Sequence, residues 1–226
     1  MTPEWLASRF NDPTYKPVKY SQQSDYQQFR GDHNLNAGME PTRNVDGLLN
    51  VAAVLIPIVK RGSALSVLLT QRTSHLSHHP GQISFPGGRT EPEDTSSEHT
   101  ALRETEEEVG LPAQYIEVVG ELDDYLTRTG FIVTPIVGLV SSPFPVSPDP
   151  FEVEEVFEVP LDFLLDTNNH HSHSQLLDGK LRHFYAIPYN RHFIWGATAG
   201  MLVNLFQLLT DSSAGSLGKK ITLEEG

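Results

Sequence analysis

The chain has 226 residues, of which 38% are hydrophobic and 20% charged, and a formal net charge of −13. This is long enough for one packed domain with extensions. The acidic balance argues against the basic footprint that broad nucleic-acid or anionic-membrane binding requires, and the lack of any cysteine excludes disulfides, thiolate nucleophiles and cysteine-bound zinc.

Residues 1–47 are polar and scattered with Pro, Tyr, Gln and Asn, which predicts an N-terminal arm carrying one short helix around Asp25–Phe29. MTPEWLASRF has no basic start followed by an apolar run, so no secretory leader is expected. VAAVLIPIV (51–59) is far short of the ~20 apolar residues of a membrane span, and ITLEEG is neither a lipidation nor a peroxisomal address. These features predict a cytoplasmic chain with no membrane partner.

The packed domain is expected over residues 48–211. Val51–Val59 and Ala64–Thr70 read as strands joined by a turn at Lys60-Arg61-Gly62-Ser63. Ile83–Phe85 is a short extended piece, after which Pro86-Gly87-Gly88 bends the chain sharply. Ser96–Val109 is the next helix, with Thr95 and Glu98 as a capping box. Gly110 ends it and Pro112 blocks its continuation. Ile116–Leu122 and Phe131–Val140 are strand-like. Pro143, Pro145, Pro148 and Pro150 stiffen the loop over 141–151. Val153–Val159 is a further strand, and Pro160-Leu161 opens a short helix reaching Leu165. Residues 166–181 read as a polar, His-rich loop, in which His170, His171 and His173 are loop residues rather than metal ligands. Leu181–Pro188 is a strand. Trp195–Leu209 is the last helix, with Thr198, Leu202, Leu205 and Leu209 on one face. Residues 212–226 form a flexible tail. Strands interleaved with two main helices predict an α/β fold with a mixed central sheet covered by helices.

The middle helix carries the chemistry. At 100° per residue Glu104, Glu107 and Glu108 share one face, with Leu102, Thr105 and Val109 roughly opposite. Like charges at these spacings each cost about 0.2–0.5 kcal/mol, and anions near a helix C-terminus oppose the helix dipole. A hard divalent cation relieves both penalties, and Mg²⁺ also bridges carboxylates to substrate phosphates. Arg103 can orient one of these carboxylates. Gly87-Gly88 lets the backbone approach a metal or phosphate closely.

The segment GQISFPGGRTEPEDTSSEHTALRETEEEVGL (81–111) resembles the Nudix box, G-x5-E-x7-R-E-U-x-E-E-x-G-U with U apolar. Arg103-Glu104, Glu107-Glu108 and Gly110-Leu111 match in order. Counted from Gly88, Asp94 fills the early acidic position, eight residues instead of seven precede Arg103, and Thr105 stands at an apolar position. Residues 68–88, LLTQRTSHLSHHPGQISFPGG, are similar to the signature of the coenzyme A pyrophosphatase branch, L-L-T-x-R-[S/A]-x3-R-x3-G-x3-F-P-G-G. Thr73 replaces Ser/Ala, and Ser77 replaces the second arginine, a loss that His78 or His79 would have to offset.

The resemblance implies an α/β/α Nudix sandwich that hydrolyses the pyrophosphate bond of a small nucleoside diphosphate derivative. Coenzyme A is the first candidate, giving 3′,5′-ADP and 4′-phosphopantetheine. It implies Mg²⁺ or Mn²⁺ held by Glu104, Glu107, Glu108 and the Gly87 carbonyl, with Glu107 or Glu152 as base and Arg103 assisting. Substrate contacts are implied for Arg72, Gly81, Gln82, Phe85, Gly88 and Arg89. A homodimer is a further expectation. Two readings stay open beside this one: a Nudix hydrolase of ADP-ribose or NADH, and a non-catalytic nucleotide-binding Nudix module.

Overall fold

The computed structural model describes residues 1–21, 25–76, 79–177 and 179–210. Ser77, His78 and the tail expected over 212–226 lie outside the described residues. In chain order the elements are α1 (Pro3–Phe10), β1 (Arg30–Gly31), β2 (Asn50–Arg61), β3 (Ala64–Arg72), β4 (Ile83–Ser84), β5 (Gly87–Arg89), α2 (Ser97–Val109), β6 (Ile116–Glu121), β7 (Tyr125–Leu126), β8 (Phe131–Val140), β9 (Val153–Pro160), α3 (Leu161–Leu164), β10 (His171–Leu177), β11 (Lys180–Tyr189), β12 (His192–Trp195) and α4 (Ala197–Thr210).

Strand β2 is central because its sequence suits a strand buried on both faces: NVAAVLIPIVKR is apolar almost throughout rather than alternating. It pairs in parallel with β8 and antiparallel with β3 and β5. The sheet runs β1-β7-β8-β2-β3-β4, with β6 on β8 and β9 on β3, nine strands of mixed direction. Ala53, Leu55 and Val59 face α2, where they meet Ala101, Val109 and Leu111. Ile56, Ile58, Val67 and Leu69 face the other way, onto Leu202 and Leu205 of α4 and Ile187 and Ile194 of a second, three-stranded sheet β10-β11-β12. The architecture is therefore the layered α/β arrangement expected, with a helix on each face of a mixed sheet.

Local expectations shift in four places. The cap of α2 is Ser96, whose Oγ accepts from His99 N–H at 3.1 Å, one residue later than the Thr95 capping box. The His-rich stretch is not a loop: β10 pairs with β11 along its whole length, and its polarity arises because nearly every β10 residue is exposed. Trp195 ends β12 instead of opening a helix, and Gly196, at φ +65°, separates the two elements. Pro160 sits just before α3, not in its first turn.

The first helix was also missed, although its signal was present. Thr2 Oγ1 accepts from Trp5 N–H and Pro3 opens α1. Leu6 is buried in the main core, Tyr15 Oη donates to Glu121 O, and β1 pairs with β7. The polar stretch before Leu48 is thus tied to the domain by hydrogen bonds and by scattered apolar side chains such as Leu6, Phe10 and Tyr15, which follow no hydrophobic period. The short helix expected around Asp25–Phe29 is present as one 3₁₀ turn, Tyr26–Gln28.

Candidate active site

Helix α2 ends where the site begins. Gly110, at φ +66°, takes the left-handed conformation that terminates it. The last turn leaves carbonyls without intrahelical partners, and the proline loop supplies them. Ser147 N–H donates to Val109 O and Asp149 N–H to Glu108 O, each at 2.9 Å. The same loop is fastened to the end of β3, where Thr73 N–H donates to Glu152 O and Thr73 Oγ1 to Phe151 O. Glu152 is thereby carried to the carboxylate face of the helix.

Strand β5 supplies the opposite wall. Leu55 N–H donates to Pro86 O and Thr90 N–H to Val51 O. The alternation of an antiparallel ladder therefore turns the amide and carbonyl of Gly87 and Arg89 away from β2. Gly87 N–H donates to Glu108 Oε2 at 3.1 Å, and Arg89 O accepts from Arg103 Nη2 at 3.1 Å. Gly88 lies directly beneath Glu104: a Cβ there would stand 2.5 Å from both carboxylate oxygens.

Four carboxylates meet at this wall, in two pairs, each bridged by one guanidinium. Arg103 Nη1 donates to Glu104 Oε1 at 3.1 Å and Glu107 Oε2 at 3.0 Å. Arg72 reaches Glu108 Oε1 at 3.3 Å and Glu152 Oε2 at 3.5 Å. Burial pushes the Glu108 carboxyl up to about 7, against the lowering effects of the Gly87 amide and Arg72. Glu104 is raised for the same main reason, its burial.

Asp94 anchors the arrangement. It takes two hydrogen bonds from Arg103, Nε at 3.0 Å and Nη2 at 2.9 Å, and one each from Thr100 Oγ1 and Glu91 N–H. Its side chain is 1% exposed, and the Arg103 guanidinium holds its carboxyl well below the usual range. A turn over Glu91–Asp94, closed by Asp94 N–H to Glu91 O, leads into it. Asp94 was legible only as a motif position; its bond to Arg103 required the fold. Asp94→Asn is expected to weaken Arg103's hold on Glu104 and Glu107. The divalent-ion concentration for half-maximal activity should rise roughly 10–100-fold, as read by titrating activity with Mn²⁺.

The other expected residues divide. Arg72, Gly87, Gly88, Arg89, Arg103, Glu104, Glu107, Glu108 and Glu152 come together as described. The Arg89 guanidinium itself lies over the Phe131 ring, 5.0 Å from its centroid. Gln82 touches the group through its backbone, accepting from Arg72 N–H, while its side chain pairs with His79. Gly81, at φ +68°, serves that turn. Phe85 is corrected: at 2% exposure it belongs to the core on the α4 side, so its ring faces no substrate.

Among the described residues, no three His, Asp or Glu side chains converge on one point as they stand. The donor set nonetheless fits a hard divalent cation, being all oxygen. Glu104 and Glu107 already share a single cationic nitrogen, and Glu107 is 59% exposed. Burial raises the Glu108 carboxyl, and a cation beside it would favour its charged form.

The chain is similar to known proteins. The NUDIX domain family matches residues 49–179. A Yersinia pestis (strain Pestoides F) protein named "Uncharacterized Nudix hydrolase NudL" is 44% identical over 156 residues, 69% of this chain and 78% of its own. Its counterpart in Yersinia pseudotuberculosis serotype O:1b (strain IP 31758) has the same identity and coverage. A crystal structure of a NUDIX hydrolase from Alicyclobacillus acidocaldarius aligns with 75% of this chain and 96% of its own, at TM-score 0.47 and 16% identity. With the family match spanning more than half its length and 44% identity to those relatives over 156 aligned residues, the chain belongs to the Nudix family and is a Nudix hydrolase.

Proposed function

We propose that this Nudix hydrolase cleaves the diphosphate of coenzyme A or its derivatives, releasing 3′,5′-ADP and 4′-phosphopantetheine. The observation that carries this reading is the four-carboxylate cluster of Glu104, Glu107, Glu108 and Glu152 beside the Gly87–Arg89 edge. The upstream signature ending at Phe85-Pro86-Gly87-Gly88 supports the substrate. Glu104, Glu107, Glu108 and the Gly87 carbonyl would hold Mg²⁺ or Mn²⁺. Such an ion, when bound, offsets the diphosphate charge and acidifies a water.

The chain's own groups do the rest. Arg72 faces the phosphates, with Gly81, Gln82, Gly88 and the Arg89 carbonyl shaping the adjacent backbone. Glu107 or Glu152 accepts the proton of the attacking water. Water oxygen adds to one phosphorus as the bridging P–O bond breaks. Arg103 keeps Glu104 and Glu107 in place. In-line positioning and charge compensation supply most of the acceleration, as in phosphoryl transfer generally.

The replacement of an arginine by Ser77 favours a second reading, with ADP-ribose or NADH as substrate. Coenzyme A, its 3′-dephospho form, ADP-ribose and NADH should be compared with Mg²⁺ and with Mn²⁺. The expected result is the highest kcat/KM on coenzyme A, with 3′,5′-ADP recovered by chromatography. A preference for ADP-ribose or NADH would overturn the coenzyme A reading. Tight nucleotide binding without turnover of any of the four would favour a non-catalytic module.

A further inference from the structure

Strand β10 has a feature that the site does not use. It lies at the rim of the three-stranded sheet, paired with β11 alone. Six of its seven residues are exposed, although a strand on a packed sheet normally buries one face. Leu176 is 69% exposed, and Leu181 opposite it on β11 is 57% exposed.

The hydrogen bonding shows which backbone groups are open. On β11, His183 N–H donates to Asn36 Oδ1 and His183 O accepts from Asn36 Nδ2, at 2.8 and 2.9 Å. Asn36 thus closes that edge of β11. His183 stands opposite Ser174, and residues of a non-hydrogen-bonded antiparallel pair both turn their backbone groups outward. Ser174 therefore faces the open edge of β10, and Ser172 and Leu176 with it. Three amides and three carbonyls line that edge, and no element pairs with them among the described residues.

Natural edge strands are usually guarded by a charge, a proline or a bulge. HSHSQLL has no Lys, Arg, Asp, Glu or Pro and is paired without a register shift. In a chain of net charge −13, an uncharged edge is a place where two copies can approach without strong repulsion. Charge is also polarised along the strand. Its root follows Asp162 and Asp166, while its tip leads to Lys180 and Arg182, with Asp178 the one acid between the strands in sequence. Antiparallel pairing sets the tip of one copy beside the root of the other.

We propose that the β10 edge is the two-fold interface of a homodimer, in which β10 pairs antiparallel with the β10 of a second copy. Ser174 lies on the axis opposite itself, and Ser172 faces Leu176 of the other copy. The two three-stranded sheets join into one of six strands. The interface is isologous and closes at two copies.

The absence of cysteine makes the register testable. In a hydrogen-bonded pair the Cα atoms are about 5.5 Å apart, within disulfide range. Ser174→Cys should therefore cross-link to a covalent dimer under mild oxidation. Ser172→Cys should not, because its two copies stand about 13 Å apart, four residues along the strand. The wild-type chain should sediment as a dimer at about 100 µM and dissociate on dilution, the behaviour of a small interface. Leu176→Lys should be monomeric with unchanged melting temperature and diphosphate turnover. Three results would overturn the proposal: a monomer at all concentrations, equal cross-linking of the two cysteine variants, or a Leu176→Lys dimer. A dimer that appears only after deletion of residues 211–226 would also overturn it, assigning the edge to the chain's own tail.

Discussion

Glu108→Gln is expected to remove turnover while strengthening the metal-free fold. The loss should be roughly 10³-fold or more in kcat/KM, matching the several kcal/mol of charge stabilisation that a metal-held site contributes. Stability should move the other way. The Glu108 carboxyl sits at about 7 in the folded chain, above its ordinary 4.5, because it is buried. Below pH 4.5 both folded and unfolded chains carry the proton, and the group costs nothing. As pH rises from 4.5 to 7 the unfolded chain releases its proton first, so stability falls, by about 3 kcal/mol in all. Glutamine, like the protonated carboxyl, carries no charge and keeps one of the two acceptors that meet Arg72 and the Gly87 amide. The melting temperature of metal-free Glu108→Gln should therefore exceed the wild type at pH 8 and match it near pH 4.5. Retained turnover at saturating Mg²⁺ would remove Glu108 from the site.

Gly88→Ala and Gly87→Ala should fail in different ways, although the residues are adjacent. A Cβ on Gly88 meets the Glu104 carboxylate, the far end of a flexible side chain. The side chain can move aside, so the fold survives, but Glu104 leaves the position it shares with Glu107. Activity should drop about 10²-fold or more, the penalty of a roughly 1 Å misplacement in a positioned site, with little change in melting temperature. A Cβ on Gly87 meets the Ala53 carbonyl and the Val54 backbone, and Gly87 has φ +151°. Neither neighbour can move without shifting β2, so this variant should lose stability. Thermal melts and steady-state kinetics on both variants separate the two outcomes. Equal loss of stability in the two would show that Glu104 cannot yield, and that Gly88 serves the fold instead.

The chain's organisation was legible wherever apolar residues follow a period. Val51–Val59, Ala64–Thr70 and Phe131–Val140 lie within observed strands, because burial on both faces leaves nearly continuous apolar runs, and Val153–Val159 lies within a strand of mixed composition. The middle helix was placed to within one residue, since its stop signals are local. Where polar residues form structure, the reading failed. The β10–β11 hairpin is held by backbone bonds that any side chain permits, and α1 docks through a single buried leucine and a few hydrogen bonds. Phe85 was misjudged because a motif position does not state which face of the sheet its ring takes.

The sequence alone determined the inventory: an Arg-Glu and Glu-Glu pattern on one helical face, after a glycine turn, in a cysteine-free acidic chain. Helical geometry guarantees that much, because residues three and four apart share a side whatever surrounds them. The partners were decided only by the tertiary structure. Arg72 lies 36 residues from Glu108, and Glu152 a further 44, yet one guanidinium reaches both. That meeting depends on β3 ending beside α2, and on two backbone amides of the proline loop filling the helix's last carbonyls. Such contacts follow from how elements pack, and no local period in the sequence encodes them.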